Sequence, residues 1–132
     1  MSERRKTATT DIPPGTGTYT PALRAGGFVF LTAQTGRSAE TGKLAEGLEG
    51  QTRAMLENLD RLLSASGCSR KDIVQVTLLL ADIGDFKAVD QLYVQWLPDR
   101  GEAPYPTRTA FQAAALPAGA RVMMDVTALF PG

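Results

Sequence analysis

Strand-prone runs flank the Gly-rich turn Ala25-Gly26-Gly27, with Tyr19 to Leu23 before it and Phe28 to Gln34 after it. The two runs predict a β-hairpin. Thr35 to Gly50 then carries Gly36, Gly42, Gly47 and Gly50 with little periodicity, which reads as a long surface loop. From Gln51 the spacing changes to a helical one, with Met55, Leu59, Leu62 and Leu63 on one side until Gly67, and predicts a helix over roughly 51–66. Ile73 to Ala81 returns to alternation: Val74, Val76, Leu78 and Leu80 share one face and Gln75 and Thr77 the other.

Asp85 can cap a second helix, in which Phe86, Val89, Tyr93, Trp96 and Leu97 form one apolar stripe until Pro98 stops it. That stripe is read as the side of a helix that covers a sheet, not as a cofactor box. Thr107 to Ala114 and Arg121 to Leu129 predict a final strand pair around Leu116-Pro117-Ala118-Gly119. The order β-β-α-β-α-β-β defines an α+β domain with a mixed sheet and two helices on one face. The other face, with Gln75, Thr77 and alternate residues of the last strand, is expected to be buried between copies of the chain. Residues 1–16 are polar and contain Pro13-Pro14-Gly15, so a flexible arm is expected at the start of a single domain spanning 1–132.

The 132 residues suffice for one core. Fourteen basic residues balance fourteen acidic ones, which argues against binding nucleic acid or anionic lipid while leaving room for one bound anion. No apolar run approaches the ~18 residues of a membrane span, and the basic start of the chain has no apolar segment behind it. A soluble, cytoplasmic protein is expected. Cys68 is the only cysteine, so an intrachain disulfide and a thiolate metal cluster are both excluded, and its place after Gly67 suits a small packing residue. Histidine is absent, which removes Ser-His and Cys-His nucleophile systems and the commonest general base. No metal, nucleotide or flavin motif is visible, and no cofactor is expected.

The candidate chemistry centres on Tyr105-Pro106-Thr107-Arg108-Thr109, which sets one guanidinium at the edge of a sheet. An arginine there can grip a small carboxylate through two parallel N–H bonds, or can simply be a solvated edge residue. Together with Gly17-Thr18-Tyr19, Leu31-Thr32-Ala33-Gln34 and the stretch from Asp72 to Phe86, this segment resembles the RidA/YjgF family of reactive-intermediate deaminases, over about residues 17–129.

The resemblance implies a chorismate-mutase-like fold, a trimer around a central barrel, and ligand clefts at subunit interfaces. It also implies water attack on the C=N carbon of an imine or enamine acid, with release of ammonia. On that basis Arg108 holds the substrate carboxylate, Tyr19 helps to close the cleft, and Thr32 and Ala33 match a Ser-Gly pair facing the ligand. Asp90 stands in the place of a frequent asparagine; as a charged acceptor it should repel an anion unless protonated or paired, and its plain alternative is a solvent-facing helix carboxylate. Ala110 replaces a common cysteine, and Met123 replaces the glutamate thought to activate water. A thioether cannot take a proton from water at neutral pH. Asp125 lies on the same strand face but about 7 Å further along. Proton transfer is then left to Asp90, Glu102 or solvent. Two functions follow: hydrolytic deamination of a carboxylate-bearing enamine or imine, with Met123 and Ala33 favouring a larger apolar substrate, or a non-catalytic carboxylate-binding trimer acting as a sensor or partner protein. Ribonuclease activity, attached to some members, is disfavoured by the charge balance and the missing histidine.

Overall fold

A computed structural model describes residues 3–7, 18–99 and 104–132. Its elements are β1 (Arg4–Lys6), β2 (Ala22–Ala25), β3 (Phe28–Thr35), α1 (Gly47–Ala65), β4 (Ile73–Leu80), α2 (Phe86–Trp96), β5 (Thr107–Gln112) and β6 (Val122–Leu129). The strands form one sheet in the order β1-β2-β3-β6-β4-β5. Every neighbouring pair is antiparallel except β4 and β5, which run parallel because α2 carries the chain back between them. This is the expected α+β, chorismate-mutase-like arrangement, with both helices packed on one face.

The alternation of side chains separates the two faces. In β6, Val122, Met124, Val126 and Ala128 are buried against the helices, while Met123, Asp125, Thr127 and Leu129 point to the far face. In β3, Val29 and Leu31 are buried, while Phe28 and Phe30 project outward. Met55, Leu56, Leu59, Leu62 and Leu63 of α1 close the core from above. Burying side chains of this kind contributes roughly 1.5–3 kcal/mol each, so the face with the helices dominates the fold's stability. The far face carries exposed Phe28, Phe30, Phe111 and Leu129.

Several elements depart from the sequence reading. Thr107–Gln112 and Val122–Leu129 are not a strand pair, because β4 lies between them and pairs with both. Arg4–Lys6 is hydrogen-bonded as an edge strand along β2 rather than belonging to a free arm, and residues 8–17 lie outside the described residues. The hairpin's first strand starts at Ala22, so Tyr19 precedes it. A bulge between Ile73 and Gln75 puts Ile73 in the core and leaves Val74 half-buried. Asp85 forms no side-chain cap; its carboxylate receives Arg121 Nη2 at 3.1 Å.

Helix α1 starts at Gly47, inside the segment read as loop, and Leu48 anchors its first turn on the core. Gly36 lies so close beneath α1 that a Cβ there would come within 2.3 Å of the Gln51 carbonyl oxygen. Asn58, buried in α1, donates from Nδ2 to the carbonyls of Thr35 and Arg37 at 3.1 and 2.8 Å, tying the end of β3 to the helix. The helix ends as its sequence requires. Gly67 sits at φ +78°, with the Cys68 N–H on the Leu63 carbonyl and the Gly67 N–H on Ser64, which satisfies two terminal carbonyls.

Candidate functional site

Arg108 stands directly opposite Val76 on the edge strand β5, and paired residues of neighbouring strands share a face. Val76 is fully buried under the helices, so the Arg108 side chain leaves on the helix side. There α2 presents Phe86, Asp90 and Tyr93, which recur at helical spacing along one flank. The guanidinium carbon lies 4.9 Å from the centre of the Phe86 ring and 5.2 Å from that of Tyr93. Such contacts with ring faces hold the planar group in orientation. Arg108 Nη1 donates to Asp90 Oδ1 at 2.5 Å. About 28% of the Arg108 side chain and 32% of the Asp90 side chain stay accessible, so the pair is neither sealed in nor freely solvated.

The pair opens into a cleft of about 380 Å³ bordered by Asp90, Tyr93, Val94, Leu97, Tyr105, Pro106 and Arg108. Its walls beyond the ion pair are apolar or aromatic. Among the described residues, Arg108 Nε and Nη2 and the second oxygen of Asp90 take no hydrogen bond. A planar donor edge therefore remains available to a bound anion.

The other predicted residues gather elsewhere. Met123 pairs with Thr35 of β3 on one side and Leu79 of β4 on the other, on the far face of the sheet. Thr32 and Ala33 occupy the irregular stretch between Leu31 and Gln34, and the Thr32 N–H binds the Pro21 carbonyl at 2.8 Å. Tyr19, two residues before Pro21, is half exposed. Within one chain, then, Arg108 and Asp90 form one group, and Tyr19, Thr32, Ala33 and Met123 belong to the region around the end of β3. Ala110 shares the face of Arg108 but packs against the core and does not border the cleft. Asp90 is the ion-pair partner of Arg108, with about a third of its side chain left accessible. Glu102 lies outside the described residues.

The sequence reading missed Phe86 and Tyr93 as supports of the guanidinium, because both also belong to the apolar stripe of α2. Their spacing with Asp90 was the available signal. A second polar cluster ties the helices together: Asp60 binds Arg70 through two bonds of 2.7 Å and accepts Trp96 Nε1 at 3.1 Å. The bond to Asp60 raises the pKa of Arg70 above its ordinary value, against the opposing effect of burial. Burial, with a smaller contribution from Asp72, also pushes the Cys68 thiol up, while Arg24 acts in the opposite sense. Among the described residues, no cluster of three or more His, Cys, Asp or Glu side chains is placed to hold a metal ion, and no helix is long and apolar enough to cross a membrane.

A small α+β domain with an arginine cleft at the edge of its sheet is the class that fold and site define. The sequence model of the family described as Endoribonuclease L-PSP matches residues 9–130, and the chain belongs to this family, also known as RidA/YjgF. It is 38% identical over 122 residues to the chloroplastic Reactive Intermediate Deaminase A of Arabidopsis thaliana, a match covering 92% of this chain but 63% of that longer protein. It is 32% identical to the Homo sapiens 2-iminobutanoate/2-iminopropanoate deaminase, covering 96% of this chain and 90% of the relative. Among solved structures it is similar to TdcF of E. coli with bound serine, with a TM-score of 0.87 and 30% identity over 95% of this chain and 98% of that one.

Proposed function

We propose that the protein hydrolyses a carboxylate-bearing imine or enamine to the corresponding 2-oxo acid and ammonia. The observation that carries this reading is the Arg108 guanidinium, held over the rings of Phe86 and Tyr93 with one donor edge open to a largely apolar cleft. A carboxylate received on that edge by two charge-assisted bonds is oriented with its side chain along Val94, Leu97 and Tyr105. The plant relative's name supports deamination of a reactive intermediate and the human relative's supports imine deamination, while the serine bound to TdcF supports recognition of a 2-amino acid skeleton.

In the proposed reaction, water adds to the C=N carbon and the resulting amino alcohol expels ammonia to leave the C=O group. The addition is intrinsically easy, so holding the substrate in one orientation supplies much of the acceleration. Because Arg108 and Met123 leave the sheet on opposite faces, the region around the end of β3 contributes to the same ligand only from a neighbouring copy. This supports a homotrimer with shared clefts. Its surface for association is the far face, where Phe28, Phe30, Phe111 and Leu129 form an exposed apolar set that a solitary chain would leave in water.

A second reading is favoured by Met123: with a thioether at that position, the cleft binds a carboxylate without turning it over. The ribonuclease in the family's description finds no support in the balanced charge or in the absence of histidine. Freshly generated imines of 2-oxo acids with short and long side chains separate the first two readings. Ammonia released faster than the spontaneous rate, more so for the longer side chains, supports the deaminase. Ligand-induced stabilisation without such release identifies the binder.

A further inference from the structure

From the Asp90–Arg108 pair we infer that Asp90 sets the charge of the ligand: the cleft takes a zwitterion, with the carboxylate on Arg108 and a protonated nitrogen on Asp90, and discriminates against simple anions. The inference rests on the carboxylate-binding reading of Arg108 and adds a second point of recognition to it.

Among the described residues bordering the cleft, Arg108 and Asp90 are the charged ones, and together they sum to zero. A carboxylate entering the open edge of the guanidinium meets one favourable charge and, beside it, the unfavourable charge of Asp90. Arg108 cannot leave Asp90 without stranding a partly buried carboxylate against α2, so the repulsion persists in the bound state. A cationic nitrogen on the carbon next to the ligand's carboxylate removes it. That nitrogen then points toward Asp90, whose Oδ1 is held by Arg108 Nη1 while its other oxygen keeps its full accepting capacity. The four charges alternate in sign around a ring. With only about a third of either protein side chain accessible, they are less screened than a surface pair.

Apolar walls make the same selection stricter. Val94, Leu97, Pro106, Tyr93 and Tyr105 complete the described lining, so no further charged side chain there compensates an added charge. The choice also bears on the reaction. A protonated imine is the more electrophilic form at the C=N carbon, and its hydrolysis balances as iminium plus water giving the 2-oxo acid and ammonium. Asp90 acts here by recognition and needs to take no proton. The 2-oxo acid product lacks the cationic nitrogen and is released against the same repulsion that excludes other anions.

Calorimetric titration of the protein with leucine and with 4-methyl-2-oxopentanoate tests the inference, since the two share skeleton and carboxylate and differ in whether C2 carries an ammonium or a neutral carbonyl group. Wild-type protein should bind leucine about tenfold more tightly or better. In Asp90→Asn that preference should vanish or reverse, mostly through stronger binding of the 2-oxo acid, with Asp90→Ala giving the same result should the asparagine variant fail to fold. Wild-type protein that binds the 2-oxo acid as tightly as leucine, or a preference unchanged in both variants, overturns the role of Asp90 while leaving the carboxylate site intact. Neither compound binding, or binding that survives Arg108→Ala, overturns the carboxylate site and this inference with it.

Discussion

Arg108 and Met123 leave a single sheet on opposite faces, Arg108 toward α2 from the edge strand and Met123 between Thr35 and Leu79 on the far side. No rotation of side chains brings them to one ligand within a chain. If both belong to one cleft, the cleft lies between copies. Static light scattering at micromolar concentration should give three times the 14.1 kDa mass of the chain. A monomer across that range would remove the shared cleft, and the far-face residues Phe28 and Phe30 would then need another explanation.

Met123→Glu should raise turnover of small 2-imino acids, by ~10²-fold where the new carboxylate reaches the attacking water. Its neighbours Thr35 and Leu79 leave it partly buried, so the variant should also unfold at lower denaturant than the wild type. Ammonia release and urea titration check the two halves separately. A wild type that is already fast, with a slower glutamate variant, would show that another group activates the water.

Asn58→Ala should cost about 2–4 kcal/mol in urea unfolding. The substitution leaves the carbonyls of Thr35 and Arg37 without their shared donor and opens a gap in a residue that is 1% exposed. The far end of β3 should loosen with it, visible as faster amide exchange around residues 35–37. A loss below half a kcal/mol would mean that water replaces the amide at no cost.

Cys68 should react slowly with thiol reagents in the folded protein. Its side chain packs in the core, and burial raises the thiol's pKa above the ordinary value, reducing the reactive thiolate near pH 8. Because the folded state holds this proton more tightly than the unfolded chain, its contribution to stability is complete below the ordinary thiol pKa and is lost as the pH rises through the raised one. Reaction at the rate of a free thiol in native buffer would contradict this, whereas release of the thiol on adding urea is the expected result.

What could be read in the sequence followed from periodicity. Helix α2 and strands β3, β4 and β6 each bury one regular set of side chains, so apolar spacing marks them. Strand order left no such trace: β5 and β6 each alternate in their own way, and nothing in either shows that β4 separates them. Strand β1 escaped notice because three charged residues on an edge carry no apolar pattern. The first turn of α1 was hidden by Gly47 and Gly50, poor helix formers whose cost is offset by Leu48 on the core and by Gln51, which accepts the Arg121 N–H. Arg108 was recognisable because its sequence context resembles a known family. Its support was not, since Phe86 and Tyr93 serve the core and the guanidinium at once.

Ammonia release from freshly generated 2-imino acids by wild-type, Arg108→Ala and Arg108→Lys proteins decides whether Arg108 is the carboxylate grip. Wild type should release ammonia above the spontaneous rate, and the alanine variant should lose that release. The lysine variant should recover little of it, because one ammonium cannot reproduce the planar fork, while all three proteins remain folded and equally assembled. Full activity in a folded Arg108→Ala protein would contradict that role, placing the carboxylate site somewhere other than the cleft between α2 and the edge of the sheet.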